Sequence, residues 1–294
     1  SSGTNFSTSG LFHTFSTTAT TAALNLRNNI IVNNSVPKGT GFTSAFRRSA
    51  STNLNNYATT SNNNLFFAGG ACANRLIYYD GTNADQTLAA FKTRVSTRET
   101  ASVTEDPAFL STSGASANFL HINPAVATQI ESGAATIATY TDDYDGNTRG
   151  ATPDIGADEF TGTIATACAG APTAGVASTT SPICSGQSAT ICLTGQTAAA
   201  GISVQWQSSA VSGGPYTNIA CAGGTCYNTG ALTPGTYYYI AVVTCANGGA
   251  TATSNQVTVV VNAPPTVAVN PPAPSICSAG TGVNLTASGA STYS

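Results

Sequence analysis

The sequence predicts an all-β protein in two parts, a coil of stacked parallel strands followed by a β-sandwich. Three observations carry this. Short β-branched and aromatic runs alternate with Asn, Gly and Ser clusters along nearly the whole chain, the pattern of strands and turns. An Asn-Asn-apolar segment in the first half returns 35 positions later. The second half holds about seven strand-like runs in roughly 90 residues around a single Trp, which is sandwich arithmetic.

In the first half, Asn28-Asn29-Ile30-Ile31-Val32 recurs as Asn63-Asn64-Leu65-Phe66-Phe67. Such self-similarity points to a solenoid, so residues 24–32 and 63–67 are expected to be parallel strands in neighbouring coils. Asn29 and Asn64 are placed at the corners, since Asn tolerates the left-handed conformation and its amide can bond to the Asn one coil away. The spacing is looser than one coil, so Pro37–Asn56 is expected to bulge out as an insertion. Helical character is confined to Asp85–Arg94, where Leu88 and Phe91 are i,i+3 neighbours.

The end of this half is more specific. Asp142–Phe160 reads DDYDGNTRGATPDIGADEF. It contains Asp143, Asp145, Gly146 and Arg149, then Asp154-Ile155-Gly156-Ala157-Asp158-Glu159-Phe160. With NFLHINPAVATQIESG before it, this resembles the closing segment of right-handed parallel β-helix proteins on the surface of Bacteroidetes bacteria. The resemblance covers residues 1–161 and implies that they are the C-terminal coils of such a β-helix, with earlier coils expected upstream of Ser1.

Residues 162–174 form a small-residue linker. Residues 175–262 then have Ig-like spacing. A strand around Ala189–Leu193 precedes Trp206 in Ser203–Gln207, and further strands fall at Gly235–Val243 and Gln256–Val261. Tyr237, after Leu232-Thr233-Pro234-Gly235, fits a tyrosine corner. Residues 263–294 start a second, truncated copy, because Ser181-Pro182-Ile183-Cys184-Ser185-Gly186 is echoed around Cys277 and a strand is expected at Val283–Ala287. These modules resemble the tandem Ig-like domains of long Bacteroidetes surface proteins, many of them exported by the type IX secretion system.

Composition narrows the function. Of the 294 residues only 7% are charged, against roughly 25% in an ordinary soluble domain. Nine basic residues at a net charge of −3 cannot supply a phosphate-neutralising stripe, so nucleic acid is excluded as a partner. No apolar run approaches the roughly 20 residues of a membrane helix, so no membrane insertion is expected. Eight Cys with so little charge fit an oxidising, extracellular or cell-surface setting. The absence of Met and of a leader fits a processed or partial chain. Residues 1–79 carry five basic side chains and no acid, residues 80–159 all twelve acids, and Phe160–Ser294 no charge at all. That shift marks a boundary near residue 161.

The candidate sites follow from these patterns. Asp143 and Asp145 in the D-x-D-G stretch are calcium candidates. The preferred reading has Asp143, Asp145, Asp154 and Glu159 closing the solenoid and pairing with Arg149. No other cofactor is expected. Glycan cleavage needs two carboxylates about 5–10 Å apart, and residues 1–79 have none. Arg47-Arg48 and Lys92/Arg94/Arg98 offer positive charge for an anionic glycan, with solvated loop charge as the plainer account. His13 and His121 lack Cys, His or acidic neighbours at metal spacing and read as structural. Zinc does not fit Cys221 and Cys226, which have no second close pair. Disulfides do: Cys184 with Cys245 across one end of the sandwich, and Cys192 with Cys226 or Cys221. Cys72, Cys168 and Cys277 have no assignable partner.

The resulting expectation is a non-enzymatic structural and adhesive surface protein. Its β-helix is a binding or spacer face and its Ig-like domains a stalk. Its partners are other copies or further domains of the same large protein, and surface glycans. A glycan-active enzyme with catalytic coils upstream, a polysaccharide lyase or glycoside hydrolase, and a subunit of an extracellular filament are the alternatives.

Overall fold

The first half builds two ladders of short parallel strands. This computed structural model describes residues 4–49, 53–246, 249–266, 268–270, 272 and 284–289. In order the strands are β1 (Thr8–His13), β2 (Ile30–Val32), β3 (Thr43–Arg48), β4 (Leu65–Phe67) and β5 (Arg75–Tyr79). β1, β3 and β5 pair in parallel, and the short β6 (Ala84–Asp85) adds antiparallel to β5. β2 pairs in parallel with β4, Ile30 opposite Leu65 and Val32 opposite Phe67. Bridges from Leu24 to Tyr57 and from Arg27 to Asn62 extend this pairing, as the repeat predicts.

The 35-residue spacing is also the register of β1 on β3, so the segment expected to bulge lies within the parallel pairing: Ser9 lies opposite Ser44 and His13 opposite Arg48. Thr43–Arg48, inside the segment expected to bulge, is itself β3. Its Thr43–Phe46 are all buried, so the stretch needs a core on which to lie. The corners also differ by one residue from expectation. Asn28 and Asn63 take the left-handed conformation, at φ 57° and 58°. Asn29 and Asn64 form the amide ladder instead. Asn64 Oδ1 accepts from the Asn29 amide at 3.2 Å, and Asn64 Nδ2 donates to Glu99 Oε2 at 2.8 Å, again 35 residues on.

In the core of the first half Phe46, Tyr57, Phe66 and Tyr78 are fully buried. Helix α1 (Leu88–Val95) closes this aromatic core from one side. It is capped by Thr87, whose Oγ1 accepts the Ala90 N–H at 3.3 Å. Its buried pair is Phe91 and Val95, with Phe91 stacked on Tyr78 at 5.0 Å. From α1 to Val176 there is no strand among the described residues. Isolated bridges and a small core of Leu65, Ile122, Ile130 and Ile155 hold this segment.

The second half is the expected sandwich. Its strands are β7 (Val176–Thr179), β8 (Ile183–Cys184), β9 (Thr190–Thr194), β10 (Ile202–Ser209), β11 (Thr217–Gly223), β12 (Cys226–Asn228), β13 (Gly235–Cys245), β14 (Thr251–Thr253) and β15 (Val257–Asn262). One sheet runs β11-β10-β13-β15-β8 with β14 beside β13, and the other β12-β9-β7. Alternation in β15 buries Val257, Val259 and Val261 and exposes the residues between them, each buried Val contributing about 1.5–3 kcal/mol. They meet Ile191 and Leu193 of the facing sheet around Trp206, which is wholly buried and donates from Nε1 to the Gly224 carbonyl at 3.0 Å. Tyr237 makes the tyrosine corner, its hydroxyl donating to the Thr233 carbonyl at 3.1 Å. Beyond it, β16 (Ala268–Asn270) pairs antiparallel with β17 (Thr286–Ser288). β17 covers part of the strand expected at Val283–Ala287, while Val283 and Cys277 lie outside the described residues.

Candidate functional site

The closing segment gathers the acidic residues singled out in the sequence, but not around Arg149 as expected. Asp143 Oδ1 accepts the N–H groups of Asp145 and Asn147 at 2.9 and 2.7 Å. Its Oδ2 accepts the Asn147 side-chain amide and the Glu159 N–H at 3.1 and 2.9 Å. Burial opposes the charge, but the Glu159 N–H and the two Asn147 donors outweigh it and hold this carboxyl below its ordinary range. Four donors thus engage both oxygens of Asp143.

Asp154 is buried and receives the Ser132 and Phe160 N–H groups at 2.6 and 2.9 Å. Burial pushes its pKa up to about 6, against those two donors and with the charges of Glu131 and Glu159 behind it. Of the four carboxylates expected on Arg149, Glu159 alone reaches it, at 3.4 Å. The other contacts of the guanidinium are the carbonyls of Asp154 and Gly156, at 3.1 and 2.8 Å.

Asp145 turns instead to His121, 3.3 Å from Nε2, while Asp158 lies 3.6 Å from Nδ1. The three offer one ligand atom each within 4.8 Å of one another. Asp158 is raised by burial and by Asp143 and Asp145, with His121 opposing. The sequence shows His121 without acidic neighbours because they arrive from positions 145 and 158.

The basic residues separate sharply. Arg48 is fully buried and donates to His13 Nδ1, the Asn53 carbonyl and Asn56 Oδ1 at 3.2, 2.7 and 2.8 Å. It cannot meet a ligand. Arg94 is paired in a fork with Asp85 at 2.5 and 2.7 Å. Arg98 is tied to the Tyr57 carbonyl at 2.6 Å and Lys92 to the Thr100 carbonyl at 3.0 Å. Arg47 differs. It lies between Phe12 and Tyr79 in strand register, and its guanidinium carbon is 5.6, 5.5 and 5.7 Å from the rings of Phe12, Phe42 and Tyr79. Its Nε is buried and has no hydrogen-bond partner, and Phe12 is 55% exposed.

The cysteines correct one expectation and meet another. Cys192 bonds to Cys226, directly opposite it on β12. Cys245 bonds to Cys168 in the linker, not to Cys184, which is an exposed free thiol. β8 pairs with the end of β15 that lies opposite Gly235, the start of β13. Cys245 is the last of the 11 residues of that strand, ~33 Å away. The linker crosses the Cys245 end, with Cys168 N–H donating to the Ala200 carbonyl at 2.8 Å. Cys221 bonds to Cys72 of the first half. Beside that bond the two halves meet backbone to backbone, where a Cβ on Gly70 would stand 3.0 Å from Gly223 Cα.

Fold and disulfides together define an all-β protein of extracellular or secreted type, with three disulfides among the described residues. No helix among the described residues is long and apolar enough to cross a membrane. Residues 173–263, the sandwich, match the model of a domain of unknown function (DUF8696). Among solved structures the chain is similar to a Fn3-like protein from Clostridium thermocellum, 28% identical over 32% of this chain and 91% of that one, with a TM-score of 0.21. No curated protein matches it.

Proposed function

We propose that the chain belongs to a secreted surface protein of the Bacteroidetes, exported by type IX secretion. In this reading residues 1–161 are the closing coils of a right-handed parallel β-helix and the sandwich is an Ig-like stalk module. The parallel ladders, offset by 35 residues between β1 and β3 and between β2 and β4 and by 32 between β3 and β5, support the β-helix reading. The role is structural and adhesive rather than catalytic.

One observation carries the adhesive part: the Phe12–Arg47–Tyr79 ladder, with Phe42 beside it. Aromatic faces stack on the C–H faces of sugars, and a guanidinium pairs with carboxylate or sulfate. The first 79 residues hold no carboxylate to compete. The ligand class is therefore an anionic glycan. The test passes the intact chain over neutral and anionic polysaccharides at low and high salt. Binding to the anionic set, weakened by salt and reduced about 10-fold in R47A, corresponding to loss of one charge-assisted contact, is expected. Absence of binding to every glycan, or equal affinity of R47A, refutes it.

A further inference from the structure

We propose that the Cys72–Cys221 disulfide is a load-bearing clasp that keeps the closing segment out of the line of tension when the chain is pulled from its two ends. The bond joins residues 149 apart in sequence. Tension entering from the N-terminal side reaches Cys72, crosses to Cys221 and leaves through β13 and β15. Everything from residue 73 to 220 is left slack.

That stretch contains the part of the fold least able to resist pulling. Between α1 and β7 there is no strand among the described residues. Isolated bridges such as Phe109–Ile122 and Thr128–Ile164 stand where a ladder would be, each worth only a bond or two. Without the clasp this segment would lie in series with the load and open first, since local stability follows ladder bonds and buried contacts. The bond sits where the two halves already touch at Gly70 and Gly223, so load crosses a contact rather than a gap.

The other bonds give the clasp a hierarchy. Cys168–Cys245 spans only 77 residues. It carries nothing while Cys72–Cys221 is intact, because the path from Cys221 to Cys245 already avoids Cys168. Once the clasp is removed, it becomes the bypass.

The proposal rests on the stalk reading only for the origin of the tension. It is tested on the full chain held by its two ends in a non-reducing single-molecule pulling experiment. The stretched length is expected to fall short of that of the reduced chain by ~500 Å, the contour of the 149-residue span. The paired variant C72S/C221S should lengthen by about 250 Å, the difference between spans of 149 and 77 residues. It should also show a new low-force extension before the sandwich opens. C168S/C245S should leave the stretched length unchanged. A wild type reaching the reduced length, an unchanged C72S/C221S, a lengthened C168S/C245S, or a C72S/C221S trace without the low-force step each overturns the clasp. Stretched length reads covalent connectivity, so it stays informative for a variant of reduced stability. None of these results depends on glycan binding, so the two readings fail separately.

Discussion

Mild acid should loosen the first half through a single histidine. His13 is buried, and Arg48 Nε donates to its Nδ1 at 3.2 Å. That nitrogen must therefore carry a lone pair, which puts the proton on Nε2, 2.7 Å from the Ala22 carbonyl it donates to. Protonating Nδ1 removes an acceptor from a buried guanidinium and sets two cations in contact, beside the rings of Phe46 and Tyr57 and the amide of Asn56. Burial first, and then the charge of Arg48, hold the His13 pKa below its ordinary 6.5, against the Ala22 bond. The unfolded chain thus takes up this proton at higher pH than the folded one. The stabilising contribution is complete above pH 6.5 and is lost as pH falls toward the folded pKa. One proton changes stability by at most about 1.4 kcal/mol per pH unit, so the loss between pH 6.5 and 5 is bounded at about 2 kcal/mol. H13Q is the matched control, since Gln can accept from Arg48 and donate to Ala22 without titrating. Urea unfolding of both proteins at pH 8, 6.5 and 5 isolates the effect, because the other titrating groups cancel in the difference. Wild type and H13Q should agree within about 1 kcal/mol at pH 8 and diverge below 6.5, wild type becoming the weaker. Parallel stability curves, or a His13 pKa at or above 6.5 by NMR, refute the reasoning.

Two further outcomes concern the same half of the chain. N64A removes an amide that accepts from Asn29 and donates to the Leu26 carbonyl and to Glu99. With a fully buried carboxylate left short of a donor, it should cost about 2–4 kcal/mol in urea unfolding; a loss under 0.5 kcal/mol would deny the ladder its structural weight. At Asp154 the folded pKa of about 6 lies above the ordinary 3.8, so its contribution is present at low pH and lost as pH rises through 6. Relative to D154N, wild type should lose stability between pH 4 and 6.5 in paired denaturation curves, and an unchanging difference counts against the shift.

How much of this was legible in the sequence depends on the range of each interaction. The sandwich was, because alternation in Val257–Val261, the buried Trp206 and the Tyr237 corner are local patterns. So was the parallel pairing of Ile30–Val32 with Leu65–Phe67, since the repeat is printed in the chain. The placement of Asn28 rather than Asn29 in the left-handed corner was not, because a run of Asn is equally tolerant at each position. Reading Arg47-Arg48 as one basic pair missed that neighbours on a strand point to opposite faces, one into the core and one among surface rings. Disulfide partners were legible only where strand pairing is local. Cys192 and Cys226 face each other across adjacent strands, whereas Cys72 and Cys221 meet because of the whole path between them.

The uneven charge along the chain has a structural cause that composition alone leaves open. The acids are concentrated where the backbone lacks ladders. Asp80 accepts the N–H groups of Thr82 and Asn83, Glu105 that of Gln129, Glu131 that of Gly162, and Asp143 those of Asp145, Asn147 and Glu159. Asp154 takes those of Ser132 and Phe160, and Glu159 those of Gly150 and Asp154. A backbone without strands must still satisfy its donors, and a carboxylate, with two oxygens and no donor of its own, accepts several at once. The sandwich needs no such help, because neighbouring strands satisfy one another, and it carries no charge from Phe160 onward. The acid-rich stretch thus satisfies its main chain largely through side chains, and from Val176 onward strand ladders do so. The acidic stretch that invites a metal or catalytic reading is largely engaged in holding an irregular closing segment together.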